Sequence, residues 1–250
     1  MARYQIILAY DGTRFAGSQR QLNTPTVQRE LEGSLSKLGW QGRSLLLAGR
    51  TDSGVHAAGQ VAAADLDWPH TLEELRNALN ASLPPDIAVQ RVQIAGAEFH
   101  PRFDAVSRWY RYRLFCQPVR DPLRERYAWR VPHPLDPAAL AAAARALTGR
   151  HDFAAFGTAP RKGSSTQRTV MQARWLAQDD DWCFDVRADA FLYRMVRRTV
   201  YIQVAAAQGR LDVEAISAAL HGSESLPAGL APACGLTFME VTYPSLDELA

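Results

Sequence analysis

The sequence predicts an α+β protein of two similar halves. Three observations carry that reading. Strand-like and helix-like segments alternate along the whole chain, the second half roughly repeats the order of the first, and 250 residues leave room for two modest domains. Tyr4–Tyr10 reads as a strand, closed by the turn signal Asp11-Gly12-Thr13. Thr24-Pro25-Thr26-Val27-Gln28 opens a helix whose apolar stripe is Val27, Leu31, Leu35 and Leu38. Leu45–Ala48 and Gln60–Leu66 read as strands, and Thr71 caps a helix running to Leu83. Glu73 and Glu74 suit that helix's positive end, and Pro84-Pro85 stops it before the strand Ile87–Ile94.

In the second half, Arg108–Cys116 alternates as a strand, with Tyr110, Tyr112 and Leu114 on one face. Residues 117–134, rich in Pro and Arg, read as a loop. Asp136-Pro137 starts a helix that Gly149 ends. Val170–Ala177 and Cys183–Ala188 form a pair around Asp179-Asp180-Asp181. Phe191–Ala207 and Val213–Leu220 read as helices, and Leu236–Tyr243 as a final strand. The boundary falls at 105/106. Two such halves with sheets joined edge to edge would place a cleft between them, where the Asp52 turn and an arginine cluster around Arg194 would meet.

Composition narrows the function classes. Hydrophobic residues at 47% with 22% charged describe an ordinary globular chain, and no apolar stretch reaches the ~18–20 residues of a membrane span. The N-terminus lacks a signal peptide's layout. Cys116, Cys183 and Cys234 are far apart with no CxxC, and the histidines show no HxxxH or HxH, so a reduced, cytoplasmic protein without metal or cofactor is expected. Lys37 and Lys162 are the only lysines. The arginines cluster at 102–130 and again at Arg194, Arg197 and Arg198, with aromatics interleaved, among them Phe103, Trp109, Tyr110, Phe191 and Tyr193. Guanidinium groups bind phosphate bidentately, and both they and aromatic rings stack on unpaired bases, so the clustering points to nucleic acid. Gly157–Thr166 is polar and basic but is no phosphate loop; it reads equally as a substrate-gripping loop and as plain surface.

The chemistry-bearing segment is Ala48-Gly49-Arg50-Thr51-Asp52-Ser53-Gly54-Val55-His56. Glycines at 49 and 54 permit unusual backbone angles, and Arg50 and Asp52 stand two apart on a turn at a strand end. Taken alone, the pair reads as a structural turn held by a local Arg50–Asp52 ion pair.

Its neighbours change that reading. Tyr10-Asp11-Gly12-Thr13-Arg14-Phe15-Ala16-Gly17, Gln19-Arg20-Gln21, Thr26-Val27-Gln28 and Ala48–Ala57 resemble the bacterial tRNA pseudouridine synthase A family. So do Asn80–Pro84, Phe99-His100-Pro101-Arg102-Phe103-Asp104-Ala105, Tyr110-Arg111-Tyr112, Phe191–Arg197 and Ala231–Leu236. The blocks occur in order and cover nearly the whole chain. The resemblance implies two ferredoxin-like (RRM-like) halves sharing a continuous mixed, largely antiparallel sheet with a central RNA-binding cleft, in a homodimer. It implies isomerisation of uridine to pseudouridine in the tRNA anticodon stem-loop, at positions 38, 39 and 40, without cofactor.

Roles carry over residue by residue. Asp52 matches the aspartate that attacks the substrate, at C1′ or at uracil C6. Arg194 matches its cationic partner, since an adjacent cation favours an ionised carboxylate. Tyr110 matches the tyrosine that stacks on the uracil and is a candidate for removing the C5 proton. Arg50 matches the residue that fills the gap left by the flipped uridine. Leu236 matches an apolar floor beneath the base. Phe99, His100, Arg102, Phe103, Arg161 and Lys162 match tRNA-contacting segments. Tyr112 is assigned to core packing, and His56 to shaping the turn. Ser18, Ser53, Tyr193, Tyr201 and Ala207 depart from the family pattern, which touches packing and substrate range and not the reaction. Beside a pseudouridine synthase with a different uridine target, two other functions stay open on the residues alone. One is an RNA-binding or tRNA-folding module with an idle aspartate. The other is a glycosidase in which Asp11 supplies the second carboxylate.

Overall fold

A computed structural model describes residues 1–161 and 163–244. The chain divides into two units, Met1–Val106 with the segment from Thr237, and Ser107–Leu236. The α+β class holds in both.

In unit 1, β1 (Ala2–Tyr10) leads through α1 (Val27–Lys37) to β2 (Leu46–Leu47) and β3 (His56–Leu66), then through α2 (Leu72–Ser82) to β4 (Ile87–Ile94). β1 is antiparallel to both β3 and β4, and β2 is antiparallel to β3. This βαββαβ order, with β1 between β3 and β4, is the ferredoxin-like arrangement. The last strand, β10 (Leu236–Thr242), runs parallel to β3, with Thr237 opposite His56 and Phe238 opposite Ala57. Chain order places that strand with the second half, because periodicity carries no information about a strand's partner.

Local chemistry explains the helix starts. The Thr26 side chain caps α1 by accepting from the Arg29 N–H, and Thr71 with Glu74 forms a reciprocal capping box on α2. The helices bury Leu31, Leu35, Leu75 and Leu79, and β1 buries Ile6 and Leu8. Each such side chain contributes about 1.5–3 kcal/mol relative to exposure. Ser34 Oγ on α1 meets both the Leu79 carbonyl (3.1 Å) and Ser82 Oγ (2.5 Å) on α2, so the helix pair is joined by hydrogen bonds as well as by packing.

In unit 2, β5 (Ser107–Cys116) is antiparallel to β9 (Asp181–Ala188), β9 to β8 (Gln167–Gln178), and β8 to β7 (Gly149–Asp152). Helices α3 (Pro137–Ala146), α4 (Met195–Ala207) and α5 (Val213–Leu220) complete it. Tyr112, Phe115, Phe153, Phe156 and Phe184 are its largest fully buried side chains. Two short strands add to the predicted elements. β7 begins at Gly149, and β6 (Trp129–Val131) pairs in parallel with β5 inside the segment that reads as a loop. Neither is long enough to show an alternation. Helix α4 starts at Met195 and not at the predicted Phe191, because Tyr193 exchanges backbone hydrogen bonds with Thr158 (3.0 and 3.2 Å). Among the described residues no helix is long and apolar enough to cross a membrane.

Candidate active site

The Asp52 turn is built between β2 and β3. As β2 ends, the Ala48 N–H still donates to the Val61 carbonyl (2.9 Å). Gln60, fully buried on β3, then grips Gly49 from both sides: its Nε2 donates to the Gly49 carbonyl (2.9 Å) and its Oε1 accepts from the Gly49 N–H (3.3 Å). Gly49 takes no positive φ, so it is held by this clamp and not by the unusual angle expected of it. Thr51 pairs with buried Ser18 in both directions. The Thr51 N–H donates to Ser18 Oγ (2.8 Å), and the Ser18 N–H donates to the Thr51 carbonyl (3.1 Å). The Thr51 hydroxyl lies 2.8 Å from the Tyr10 hydroxyl, which also accepts from Gln60 Nε2 (3.4 Å). Burial pushes the Tyr10 phenol up to about 12, against the pull of those two bonds, so it stays protonated at neutral pH.

Beyond Asp52 the chain reverses. The Val55 N–H donates to the Asp52 carbonyl (3.1 Å), and Gly54 stands at φ 77°. Ser53 Oγ and the Gly54 N–H both donate to the Phe15 carbonyl, at 3.2 and 3.4 Å. Gly12 is pressed against this turn so closely that a Cβ there would lie 2.0 Å from the Val55 carbonyl oxygen. The Gly12 N–H donates to His56 Nδ1 (3.1 Å), which also lies 3.2 Å from Asp11 Oδ1, so the ring ties the 11–14 turn to the start of β3. Asp11 Oδ1 accepts from the Thr13 N–H and hydroxyl, so this carboxylate is engaged in capping a local turn, which weighs against a second catalytic carboxylate.

The turn presents two side chains. Asp52 is half-buried, and Arg50 is exposed with no side-chain hydrogen bond or ion pair among the described residues. The local Arg50–Asp52 ion pair therefore does not form. The hydrogen bonds to Gly49 and Thr51, and not an Arg50–Asp52 pair, set the shape of the turn.

A second feature of unit 1 is the segment 99–104. His100 Nδ1 accepts from the N–H groups of Arg102 (3.1 Å) and Phe103 (3.3 Å), and Asp104 Oδ2 accepts from the His100 N–H. Phe99 meets Tyr243 edge-on at 5.0 Å, while the Tyr243 hydroxyl donates to the Pro101 carbonyl (2.8 Å). The result is an anchored knuckle on which the Phe103 ring, 75% exposed, stacks 4.2 Å from His100 and lies under the Arg102 guanidinium (5.8 Å).

Unit 2 carries the other predicted residues. Tyr110 is buried on β5 opposite Val186, with its ring edge-on to Phe191 at 5.0 Å. That contact brings Tyr110 against the segment that ends in Arg194. Arg194 is exposed, lies over the Tyr193 ring at 4.8 Å, and has φ 63°, a left-handed conformation that costs a non-glycine residue about 1–2 kcal/mol. Tyr112 does more than pack: its hydroxyl donates to the Pro232 carbonyl (2.9 Å), and Arg197 Nε to that of Ala231 (2.8 Å). These bonds tie down the segment leading to Leu236, which is itself buried. Arg161 is exposed in the 157–166 loop, and Lys162 lies outside the described residues. Of the departures, Tyr201 packs its ring against Gly229, filling the space that a side chain at 229 would need.

The family profile described as tRNA pseudouridine synthase matches residues 6–104 and 143–244. The tRNA pseudouridine synthase A of Syntrophotalea carbinolica is 40% identical over 249 residues, 99% of this chain and 98% of that protein. That of Chloroflexus aurantiacus is 41% identical over 251 residues, 98% of this chain and 90% of that protein. That of Methylobacterium nodulans is 40% identical over 246 residues, 98% and 97% respectively. Among solved structures, a Cbf5-Nop10-Gar1 complex aligns with a TM-score of 0.38 and 12% identity, over 94% of this chain and 48% of that one. The chain belongs to the tRNA pseudouridine synthase family, a family of isomerases.

Proposed function

We propose that this enzyme isomerises uridine to pseudouridine in the anticodon stem-loop of tRNA, at positions 38, 39 and 40, with Asp52 as the nucleophile. The observation that carries the reading is the construction of the turn. Its backbone is immobilised on both sides of a half-buried carboxylate, while the neighbouring Arg50 is left exposed. Preorganised placement of a reacting group is worth several kcal/mol of barrier.

The reaction is an isomerisation and needs no external reagent. The target uridine leaves the stack at a cost of a few kcal/mol, and the Arg50 guanidinium takes its place. Asp52 attacks at C1′ or at uracil C6, the N1–C1′ bond breaks, and the uracil turns while Tyr110 stacks on it and Leu236 supports it. A bond forms from C5 to C1′, Tyr110 takes the C5 proton as its own hydroxyl proton is given up to solvent, N1 gains a proton from solvent, and the carboxylate departs. Arg194 serves as the cationic partner of the Asp52 carboxylate. Phe99, His100, Arg102 and Phe103, with the Arg161-Lys162 loop, contact the rest of the RNA. The enzyme acts in the cytoplasm as a homodimer.

Incubation of tRNA transcripts with wild type and Asp52→Asn, followed by mapping of pseudouridine, tests this. The variant is expected to bind tRNA and make no product. Normal turnover by Asp52→Asn sinks the assignment. Salt-sensitive binding without product from the wild type would leave only an RNA-binding module.

A further inference from the structure

Tyr10 and Gln60 carry polar groups into the core of unit 1 and have no part in the chemistry above. Polar atoms at such depth cost free energy unless bonded, and here the bonds all run to one place. Gln60 Oε1 accepts from the N–H groups of Gly49 (3.3 Å) and Val61 (3.2 Å), which orients the amide so that Nε2 faces the Gly49 carbonyl and the Tyr10 hydroxyl. Since the phenol oxygen accepts from Gln60, its single proton is left for Thr51 Oγ1, 2.8 Å away. The chain of bonds thus starts in β1 and β3 and ends on residues 49 and 51. Those residues flank Arg50, and Thr51 immediately precedes Asp52.

We propose that the Tyr10 hydroxyl is a positioning group for the reaction: by tying Thr51 to the Gln60 amide it sets where the Asp52 carboxylate stands when it attacks. The inference rests on the assignment of Asp52 as the reacting carboxylate. Ser18 holds the Thr51 backbone independently, so loss of the phenol hydroxyl leaves the turn folded but free to slide sideways. A misplacement on the order of 1 Å costs about a hundredfold in rate.

The test uses the full-length enzyme with a tRNA transcript and compares Tyr10→Phe, Thr51→Val and Thr51→Ser. Tyr10→Phe keeps the buried ring, Thr51→Val keeps the shape without the hydroxyl, and Thr51→Ser keeps the hydroxyl. The expected result is a kcat about ten- to a hundredfold lower for Tyr10→Phe and Thr51→Val. KM and tRNA affinity should stay near wild type, and Thr51→Ser should recover the rate. Wild-type kcat in both hydroxyl-deleted variants overturns the proposal, as does a loss of activity that only follows Tm or tRNA affinity. If Tyr10→Phe does not fold, the Thr51→Val and Thr51→Ser pair decides by the same criterion. Asp52→Asn is assayed alongside. If it turns over, the assignment of the carboxylate fails and the proposal with it; if it is inactive while Tyr10→Phe and Thr51→Val are normal, only the positioning proposal fails.

Discussion

Gly12→Ala probes the Asp52 turn from outside the motif. A Cβ at residue 12 would stand 2.0 Å from the Val55 carbonyl oxygen and 2.5 Å from its carbon, whereas real Cβ contacts essentially never fall below 3.0 Å. Both atoms belong to the backbone, so no side-chain rotation relieves the overlap. The 52–55 turn and the 11–14 turn must part by about 1 Å, which stretches the Gly12 N–H···His56 Nδ1 bond as well. Overpacking of this kind costs about 1–3 kcal/mol, and the displacement of Asp52 costs about a hundredfold in turnover. Gly33→Ala is the matched control. Gly33 lies inside α1, and a methyl group added there would meet nothing within 4 Å, so the change should add about 1 kcal/mol of stability and leave turnover alone. The assay is release of tritium from C5-labelled uridine in a tRNA transcript under single-turnover conditions, with thermal unfolding of the same samples. A Gly12→Ala enzyme with wild-type rate and wild-type Tm would refute the claim that this contact sets the position of Asp52.

Three further outcomes follow from particular contacts. Asp185 is buried and receives Arg111 at 2.7 and 2.9 Å, with Arg174 at 4.0 Å; Arg111→Ala should therefore lower the unfolding free energy in urea by about 3 kcal/mol, and a loss within experimental error would show that Arg174 compensates fully. Hydrogen bonds from Arg3 hold the Asp65 carboxyl below its ordinary value of 3.8. A carboxylate depressed in this way stabilises the fold above its unfolded-state value and loses that contribution as pH falls through the lower, folded value. The urea midpoint difference between wild type and Asp65→Asn should thus be present at pH 7 and shrink below pH 3.8; a difference independent of pH contradicts it. Arg194→Gly removes a left-handed side-chain residue and should be at least as stable as wild type, by up to about 1 kcal/mol, yet inactive; retained turnover would remove Arg194 from the mechanism.

What the sequence shows, and what it hides, divides by distance along the chain. Helix starts announce themselves locally, as Thr26 and the Thr71–Glu74 pair do, because a cap and its recipient N–H are three residues apart. The predicted bounds of β4 and α5 agree with the structure for a related reason: their ends are marked by nearby breakers. β6 and β7 are too short for an alternation, and the start of α4 is set by Thr158, which lies 35 residues before Tyr193. The apolar run Phe191-Leu192-Tyr193 looks helical until that partner is known.

The site shows the same division more sharply. Arg50 and Asp52 are legible because they stand two apart in a compact motif between glycines. The groups that hold them are not. Ser18 reaches Thr51 across 33 residues, Tyr10 across 41, and Gln60 reaches Tyr10 across 50. In the sequence Ser18 is only a small residue that departs from the family pattern. Its size is what lets Oγ approach the Thr51 N–H, and its burial is what makes that bond firm. A bulky side chain there could not accept that hydrogen bond, so the Thr51 N–H would need another partner. In this chain the orientation of Asp52 therefore depends on a combination, Ser18 on the backbone and Tyr10 on the hydroxyl of one residue. Substituting either alone should loosen the turn less than substituting both, and a double-mutant cycle on turnover would measure that coupling.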